Sequence, residues 1–270
     1  MIQINSALCK AINSVRLRLI YYGRAAVGSD WRGPVPNPYY SRLFYIVSGS
    51  ATITFQNNQT LTLMPGKWYL LPAGCSFDYA CDNQLDHIYF HLKLCDLDEI
   101  DLLRNFPTPC ALEKPESNPD FFVHNLESSS ITDALRVHKA VYEILLSFID
   151  QCGIPLQQKN ISPCVTAAIE YIKQHLSAQL TVEEIANHVF VSKSTLTKKF
   201  KNELAVSVHT YVEDVVLFEA SLLVAKGSLP IKVISEQYGF CDPFYFSRRF
   251  SEKFSMSPRE YRKLMLHSIH

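Results

Sequence analysis

The chain has 270 residues, and its 26 Lys and Arg balance its 26 Asp and Glu. At about 100–200 residues per domain this length suits one large domain or two ordinary ones. Hydrophobic residues make up 47%, which excludes wholesale disorder, and no run approaches the roughly 18 apolar residues of a membrane span. The most apolar stretch, Val215 to Ala225, is interrupted by Glu219. The N-terminus has no basic region followed by an apolar block and a small-residue cleavage site, so a cytoplasmic protein without a signal peptide is expected. A formal charge of zero argues on its face against nucleic acid.

From Val15 to Leu94 the chain reads as β-structure. Leu43–Val47 is bounded by Ser48-Gly49-Ser50, and Ala51–Phe55 alternates before the polar turn Gln56-Asn57-Asn58. Leu61–Met64 closes at Pro65-Gly66, Trp68–Leu71 closes at Pro72-Ala73-Gly74, and His87–Leu92 is a further strand. Short strands at intervals of about 8–12 residues predict a sandwich or barrel of jelly-roll type. Leu97–Asn105 and Thr132–Ile149 are predicted helices; in the second, Leu135, His138, Val141, Tyr142, Leu145, Phe148 and Ile149 recur at helical spacing. That apolar stripe either packs on the barrel or pairs two copies of the chain.

A metal cupin needs a close His-x-His pair, a carboxylate and a further His. This region offers only His87 and His91. On one strand they share a face but lie about 13 Å apart, too far for one ion. No metal and no cofactor are expected. A barrel of this size holds one small molecule. Trp31, Tyr39, Tyr40, Arg42, Tyr45, His87, Tyr89 and His91 are candidates to line its cavity, with Arg42 the natural partner of an anionic group. The eight cysteines (Cys9, Cys75, Cys81, Cys95, Cys110, Cys152, Cys164 and Cys241) form no Cys-x-x-Cys pair and read as reduced, mostly buried thiols.

The texture changes near residue 160. Ten of the 14 prolines lie between Pro34 and Pro155, and Gln151–Asn160 combines Gly, Pro and a polar run. The predicted division is 1–150, a linker over 151–162, and a helical domain over 163–270. Residues 1–162 hold 13 basic and 15 acidic residues, and residues 163–270 hold 13 basic and 11 acidic, so the charge splits into −2 and +2. Helix starts are legible in the second part. Ser162-Pro163 is an N-cap with Pro at N1, Thr181-x-x-Glu184 and Ser257-x-x-Glu260 are capping boxes, and Ser192, Ser207 and Asp242 are N-caps. Val182–Val189 with Lys193–Lys201, and Ile231–Tyr238 with Pro243–Phe254, are two helix-turn-helix units, with Ile185 and Ile234 about 49 residues apart. Each second helix is basic: Lys193, Lys198, Lys199 and Lys201 in one, Arg248, Arg249 and Lys253 in the other. Small hydroxyl residues accompany them (Ser194, Thr195, Thr197 and Ser247). One basic helix is commonly just a solvated face, but two in capped, repeated units point to double-stranded DNA, with Lys and Arg reaching guanine or phosphate.

These residues carry a resemblance. The run Ile231 to Arg262, with Gly239-Phe240, Tyr-Phe-Ser-Arg-x-Phe (Tyr245 to Phe250) and Ser-Pro-x-x-Tyr-Arg (Ser257 to Arg262), resembles the signature of AraC/XylS-type transcriptional regulators. The resemblance extends over about 163–270. More weakly, Leu43–Val47, Gly49, Pro65-Gly66 and Pro72 look like the cupin-like effector domain common in that family. It departs at Ala205 and Ser255, where the family has Gly, and at Ser235, where it has Ala. The resemblance implies a multidomain protein: an all-β cupin-like jelly-roll barrel with added helices, which binds effector and dimerises, then an all-α seven-helix domain with two helix-turn-helix units. It implies base contacts from Ser194, Thr195, Thr197 and Lys198, then Pro243, Phe244, Ser247 and Arg248, with Lys193, Lys201 and Arg249 also counted as DNA-binding. It further implies a homodimeric, non-enzymatic regulator, more often an activator, responding to a small molecule such as a saccharide, with RNA polymerase a further partner. The other readings are a metal-dependent cupin enzyme with an appended DNA-binding module, and a regulator that senses redox through cysteine.

Overall fold

The computed structural model describes residues 9, 12–36, 38–96, 100–104, 106, 110–112, 119–125, 128–153, 161–254 and 256–267. The chain divides into two compact units, Met1–Gln158 and Lys159–His270.

The first unit is built on one antiparallel sheet. Its strands are β1 (Arg16–Gly28), β2 (Arg32–Val35), β3 (Ser41–Phe55), β4 (Thr60–Leu63), β5 (Trp68–Leu71), β6 (Phe77–Cys95) and β7 (Cys110–Leu112). The order is β1-β6-β3-β5-β7, with β2 paired to β6 and β4 to β3. Two runs expected as separate strands are one. The chain passes through Ser48-Gly49-Ser50 within β3, and its pairing with β6 slips between Ile46 and Ser48 and between Gly49 and Ala51. Gly49 sits at φ 79°, and a Cβ there would meet the Gln84 carbonyl oxygen at 2.0 Å. The glycine marks a bulge against a neighbouring strand, not a turn.

Strand alternation sends side chains to two faces. Leu43, Trp68, Leu70, Ile88, Phe90 and Leu92 face α1 (Pro119–His124) and α2 (Ile131–Cys152), and pack with Phe122, Val141, Ile144, Leu145 and Phe148. Phe122 lies edge-on to Trp68 and Phe90, with centroids 5.6 and 5.0 Å apart. Burying each such side chain contributes about 1.5–3 kcal/mol. The Tyr142 hydroxyl accepts from the Leu17 amide at 2.8 Å and ties α2 to β1. The opposite face gathers Phe44, Ile46, Ile53, Tyr69, Leu71, Phe77 and Leu85. Much of the expected apolar stripe of α2 is thus buried on the sheet, while Ile131, Leu135 and Leu146 stay exposed. Helix α2 runs two residues into the expected linker because Gly153, at φ 62°, supplies a left-handed C-cap. The rest of that linker, 154–160, lies outside the described residues. The expected helix Leu97–Asn105 is not one where it is described: Asp101 bridges to Cys95, and the turn that follows is held by Asp101 Oδ1, which accepts from the Leu103 amide at 3.1 Å.

The second unit is helical: α3 (Pro163–Gln174), α4 (Val182–His188), α5 (Lys193–Leu204), α6 (Val208–Lys226), α7 (Ile231–Gln237), α8 (Pro243–Phe254) and α9 (Pro258–His267). The local start signals act as read. Thr181 and Glu184 close a reciprocal capping box, and Ser192 and Ser207 accept from the amides of Thr195 and Thr210. Asp242 accepts from the Phe244 and Tyr245 amides, and Ser257 and Glu260 exchange bonds. Ser162 differs: its hydroxyl donates to Glu203 at 3.0 Å instead of capping α3.

Among the described residues no helix is long and apolar enough to cross a membrane.

Candidate nucleic-acid interface and ligand cluster

The internal repeat is a repeat of geometry. In α4 and its turn, Val191 N donates to Ala186 O at 3.0 Å, and in α7 and its turn Phe240 N donates to Ser235 O at 3.0 Å. The residue before each donor is left-handed: Gly239 at φ 74°, Phe190 at φ 55°. At Gly239 a side chain is also excluded by space, since a Cβ would lie 2.3 Å from Ser177 Oγ. Phe190 occupies the matching position with its ring 95% exposed, carrying a conformation that costs a non-glycine residue about 1–2 kcal/mol. One extra residue, Cys241, then shifts the spacing to 50, so that Leu196, Phe200, Leu204 and Tyr211 correspond to Phe246, Phe250, Phe254 and Tyr261. All eight are buried. Phe200 meets Tyr211 edge-on at 5.7 Å, and Phe250 meets Tyr261 edge-on at 5.4 Å. These pairs seat each second helix on the helix that follows it. Ser235, the departure noted in the sequence, is fully buried with its hydroxyl unpartnered.

With the second helices seated, their basic residues divide by position. Lys198 and Arg248 correspond, and both are exposed. The Arg248 guanidinium lies 5.3 Å from the Tyr245 ring centroid. Lys199 and Arg249 also correspond, and both are engaged inward. Lys199 Nζ is 3.6 Å from Glu203, which also receives the Ser162 amide at 2.8 Å. Arg249 grips Glu213 of α6 through two hydrogen bonds of 2.6 Å and also pairs with Glu252. Burial opposes ionisation of Glu213, but the hydrogen bonds and charge of Arg249 outweigh it and hold the carboxyl below its usual value. Lys253 pairs with Asp214 beside them, both largely buried. The expected DNA-binding role of Arg249 therefore meets a competing one: the side chain holds α8 on α6.

The hydroxyl residues divide too. Thr197 donates to Lys193 O and Ser247 to Pro243 O, both at 2.8 Å, so neither has its proton free for a base edge. Thr195 is bonded to Ser192 at 2.8 Å. Ser194 is exposed, and Phe244 at the corresponding place is 86% exposed. Lys193 and Lys201 are exposed at the two ends of α5. Arg262, the last residue of the sequence signature, donates to the carbonyls of Val224 and Leu229 and closes the end of α6.

In the first unit the face away from α1 and α2 collects most of the expected ligand-lining residues. The Tyr40 ring stacks on His91 at 4.7 Å, and its hydroxyl is 3.0 Å from that of Tyr21. Arg42 lies 4.9 Å from the Tyr40 ring and 5.6 Å from that of Phe77. His87 sits among Trp31, Phe44 and Tyr89 at 5.5–5.8 Å. Burial pushes His87 down to about 4; burial, then Arg42 and His87, push His91 well below its ordinary value. Burial and the Tyr40 hydroxyl raise Tyr21. Tyr45 does not join this group. Three residues beyond Arg42 in β3, it points to the other face and packs on Trp68 at 5.2 Å. Tyr39 lies under the Lys93 ammonium, 3.2 Å from its ring centroid. Tyr21 was missed because the face of β1 is set only by its pairing opposite His91. Among the described residues no group of three His, Cys, Asp or Glu side chains could hold a metal.

Two repeated turns with matched second helices, each with an exposed cation at the same place, define a tandem helix-turn-helix unit. Residues 185–264 match the family model described as a helix-turn-helix domain. Over nearly the whole chain two relatives are similar. The lactose operon transcription activator of Staphylococcus xylosus is 24% identical over 84% of this chain and 88% of its own length. The Msm operon regulatory protein of Streptococcus mutans is 26% identical over 93% and 94%. The arabinose operon regulatory protein of Escherichia coli is 35% identical over 36% of this chain and 34% of its own. ToxT of Vibrio cholerae, solved with an unsaturated fatty acid bound, shares the fold, with a TM-score of 0.58, 14% identity and 98% of each chain covered. Residues 185–264 thus carry a helix-turn-helix domain, and the relatives similar to the chain over most of its length are operon regulators.

Proposed function

We propose that the protein is a dimeric, cytoplasmic activator that binds two successive major grooves of its operator and is controlled by a small molecule held in a cupin-like barrel formed by residues 1–150. The observation that carries the DNA half is the pairing of Lys198 with Arg248 at one position of two superposable units. Effector binding then changes the population able to engage both half-sites. Sugar-operon relatives favour a saccharide-derived effector, whereas the ToxT structure shows that the fold also accommodates a fatty acid. The cysteine-sensor reading loses support. Cys81 is buried, with Sγ 3.6 Å from Ser50 O, and burial pushes the Cys75 thiol up, away from thiolate character.

The test is binding to a selected operator and to variants of it. Arg248→Ala should cost about 1–3 kcal/mol at one base position and relax preference there, whereas Lys201→Ala should weaken all sequences alike. A uniform loss for both would remove the distinction. Pairing of two copies is assigned to the exposed Ile131, Leu135 and Leu146 of α2. Leu135→Glu with Leu146→Glu should then convert a dimer to a monomer in sedimentation, and an unchanged dimer would place the contact elsewhere.

A further inference from the structure

We propose that Arg42 is the anion seat of the ligand site, so that the molecule bound by the N-terminal unit is a small carboxylic acid and not an uncharged sugar. This rests on the reading of that unit as ligand-binding and narrows its chemistry. Arg42 is 7% exposed, and its Nη1 has no hydrogen-bond partner. Among the described residues no carboxylate pairs with it. Elsewhere in the unit Arg24 grips Asp86 at 2.6 and 2.9 Å. A buried charge without a counter-ion is costly, and arginine does not shed its proton to escape the cost.

The surroundings supply everything but the negative charge. Tyr40 and Phe77 present ring faces to the guanidinium. His87 and His91 are held neutral, each with an unpartnered Nδ1. The Tyr21 and Tyr40 hydroxyls are bonded to each other at 3.0 Å. The cluster is thus one cation among neutral hydrogen-bonding groups, and a monoanion would balance it. A planar guanidinium fork matches a carboxylate with two parallel hydrogen bonds. Phe77 also walls a cavity of about 350 Å³ whose lining includes Asp78 and not Arg42, so the unpartnered Nη1, rather than this cavity, places the anion.

The experiment follows thermal unfolding of the full chain in acetate, D-gluconate, inorganic phosphate or D-glucose, each at an ionic strength matched with chloride, for the wild type, Arg42→Met and Arg42→Lys. Acetate and D-gluconate should raise the wild-type midpoint by about 2 °C or more through mass action and leave both variants unmoved. Arg42→Met without ligand should melt at or above the wild type, because an unanswered charge is gone. A response to phosphate but not to the carboxylates overturns the carboxylate assignment. Stabilisation by D-glucose alone, equal in all three proteins, overturns the role of Arg42 while leaving the ligand-binding reading intact. A large loss of stability in both variants shows a structural arginine and also overturns it. No response to any solute overturns it as well, and operator binding by the same samples then judges the regulator reading separately.

Discussion

His87 shows how much of a residue's behaviour its neighbours decide. Trp31, Phe44 and Tyr89 enclose it, and burial holds it neutral, pushed down to about 4. Above about pH 6.5 the folded and unfolded chains both carry neutral imidazole there, and pH has no effect through this residue. Below that the unfolded chain takes up the proton first, so stability falls as pH drops from about 6.5 towards 4, by roughly 3 kcal/mol from His87 alone. Denaturant titrations at stepped pH check this: His87→Phe should flatten the decline, and a wild type equally stable at pH 4.5 and 7 would contradict it. At this scale the sequence was partly legible. Placing His87 and His91 on one face followed from a spacing of four. Excluding Tyr45 from the Arg42 face follows from the same parity, since three steps along a strand reverse the side. Tyr21 carried no such signal, because a strand's inward face is fixed only by its partner.

At the scale of elements, the helix boundaries of the second unit were readable and the sheet was not. N-caps are contacts between residues three apart, so Thr181, Ser192, Ser207 and Ser257 declare themselves in a short window. The register of β3 against β6 joins residues up to about 50 positions apart, as in Ser41 opposite Leu92, and nothing local encodes it. The same holds for the clamp on α8. Arg249 and Glu213 lie 36 residues apart, and a basic run in sequence looks alike whether it faces a groove or a carboxylate. Breaking the clamp tests its role. Glu213→Gln should destabilise the helical unit by about 1–2 kcal/mol, the partly exposed pair being worth less than a buried one. It should weaken operator binding with the fall confined to the half-site read by α8, as seen in footprinting. If Arg249 instead contacts phosphate, freeing it from Glu213 should strengthen binding, which is the opposite sign.

For the whole molecule, zero net charge turned out to be the sum of an acidic and a mildly basic part, and even the basic part is less available than its composition suggests. Lys199, Arg249 and Lys253 are held in ion pairs. The second helices therefore present Lys193, Lys198, Lys201 and Arg248. With about 0.9 of an ion released per neutralised phosphate, these four predict a log–log salt slope near −4. If all seven reached phosphate the slope would approach −6. Fluorescence anisotropy on a non-specific duplex from about 50 to 200 mM salt distinguishes the two. The division of the chain near residue 160 was legible because composition changes abruptly there, from proline-punctuated strands to capped helices. The side-chain cluster on the sheet's inner face was not, because it is a convergence of distant strands.

The contact of Trp31 with His87 gives the protein an optical property. The only two tryptophans, Trp31 and Trp68, both belong to the N-terminal unit, so excitation of indole reports on that unit alone and the DNA-binding unit stays dark. Trp68 is fully buried and 5.6 Å from Phe122, so its emission should register the packing of the helices on the sheet. Trp31, 5.6 Å from an imidazole beside the candidate ligand cluster, should brighten or dim as that imidazole gains a proton or a neighbour. If the proposed effector binds at that cluster, its occupancy should be readable from Trp31 while DNA is bound and without any attached dye.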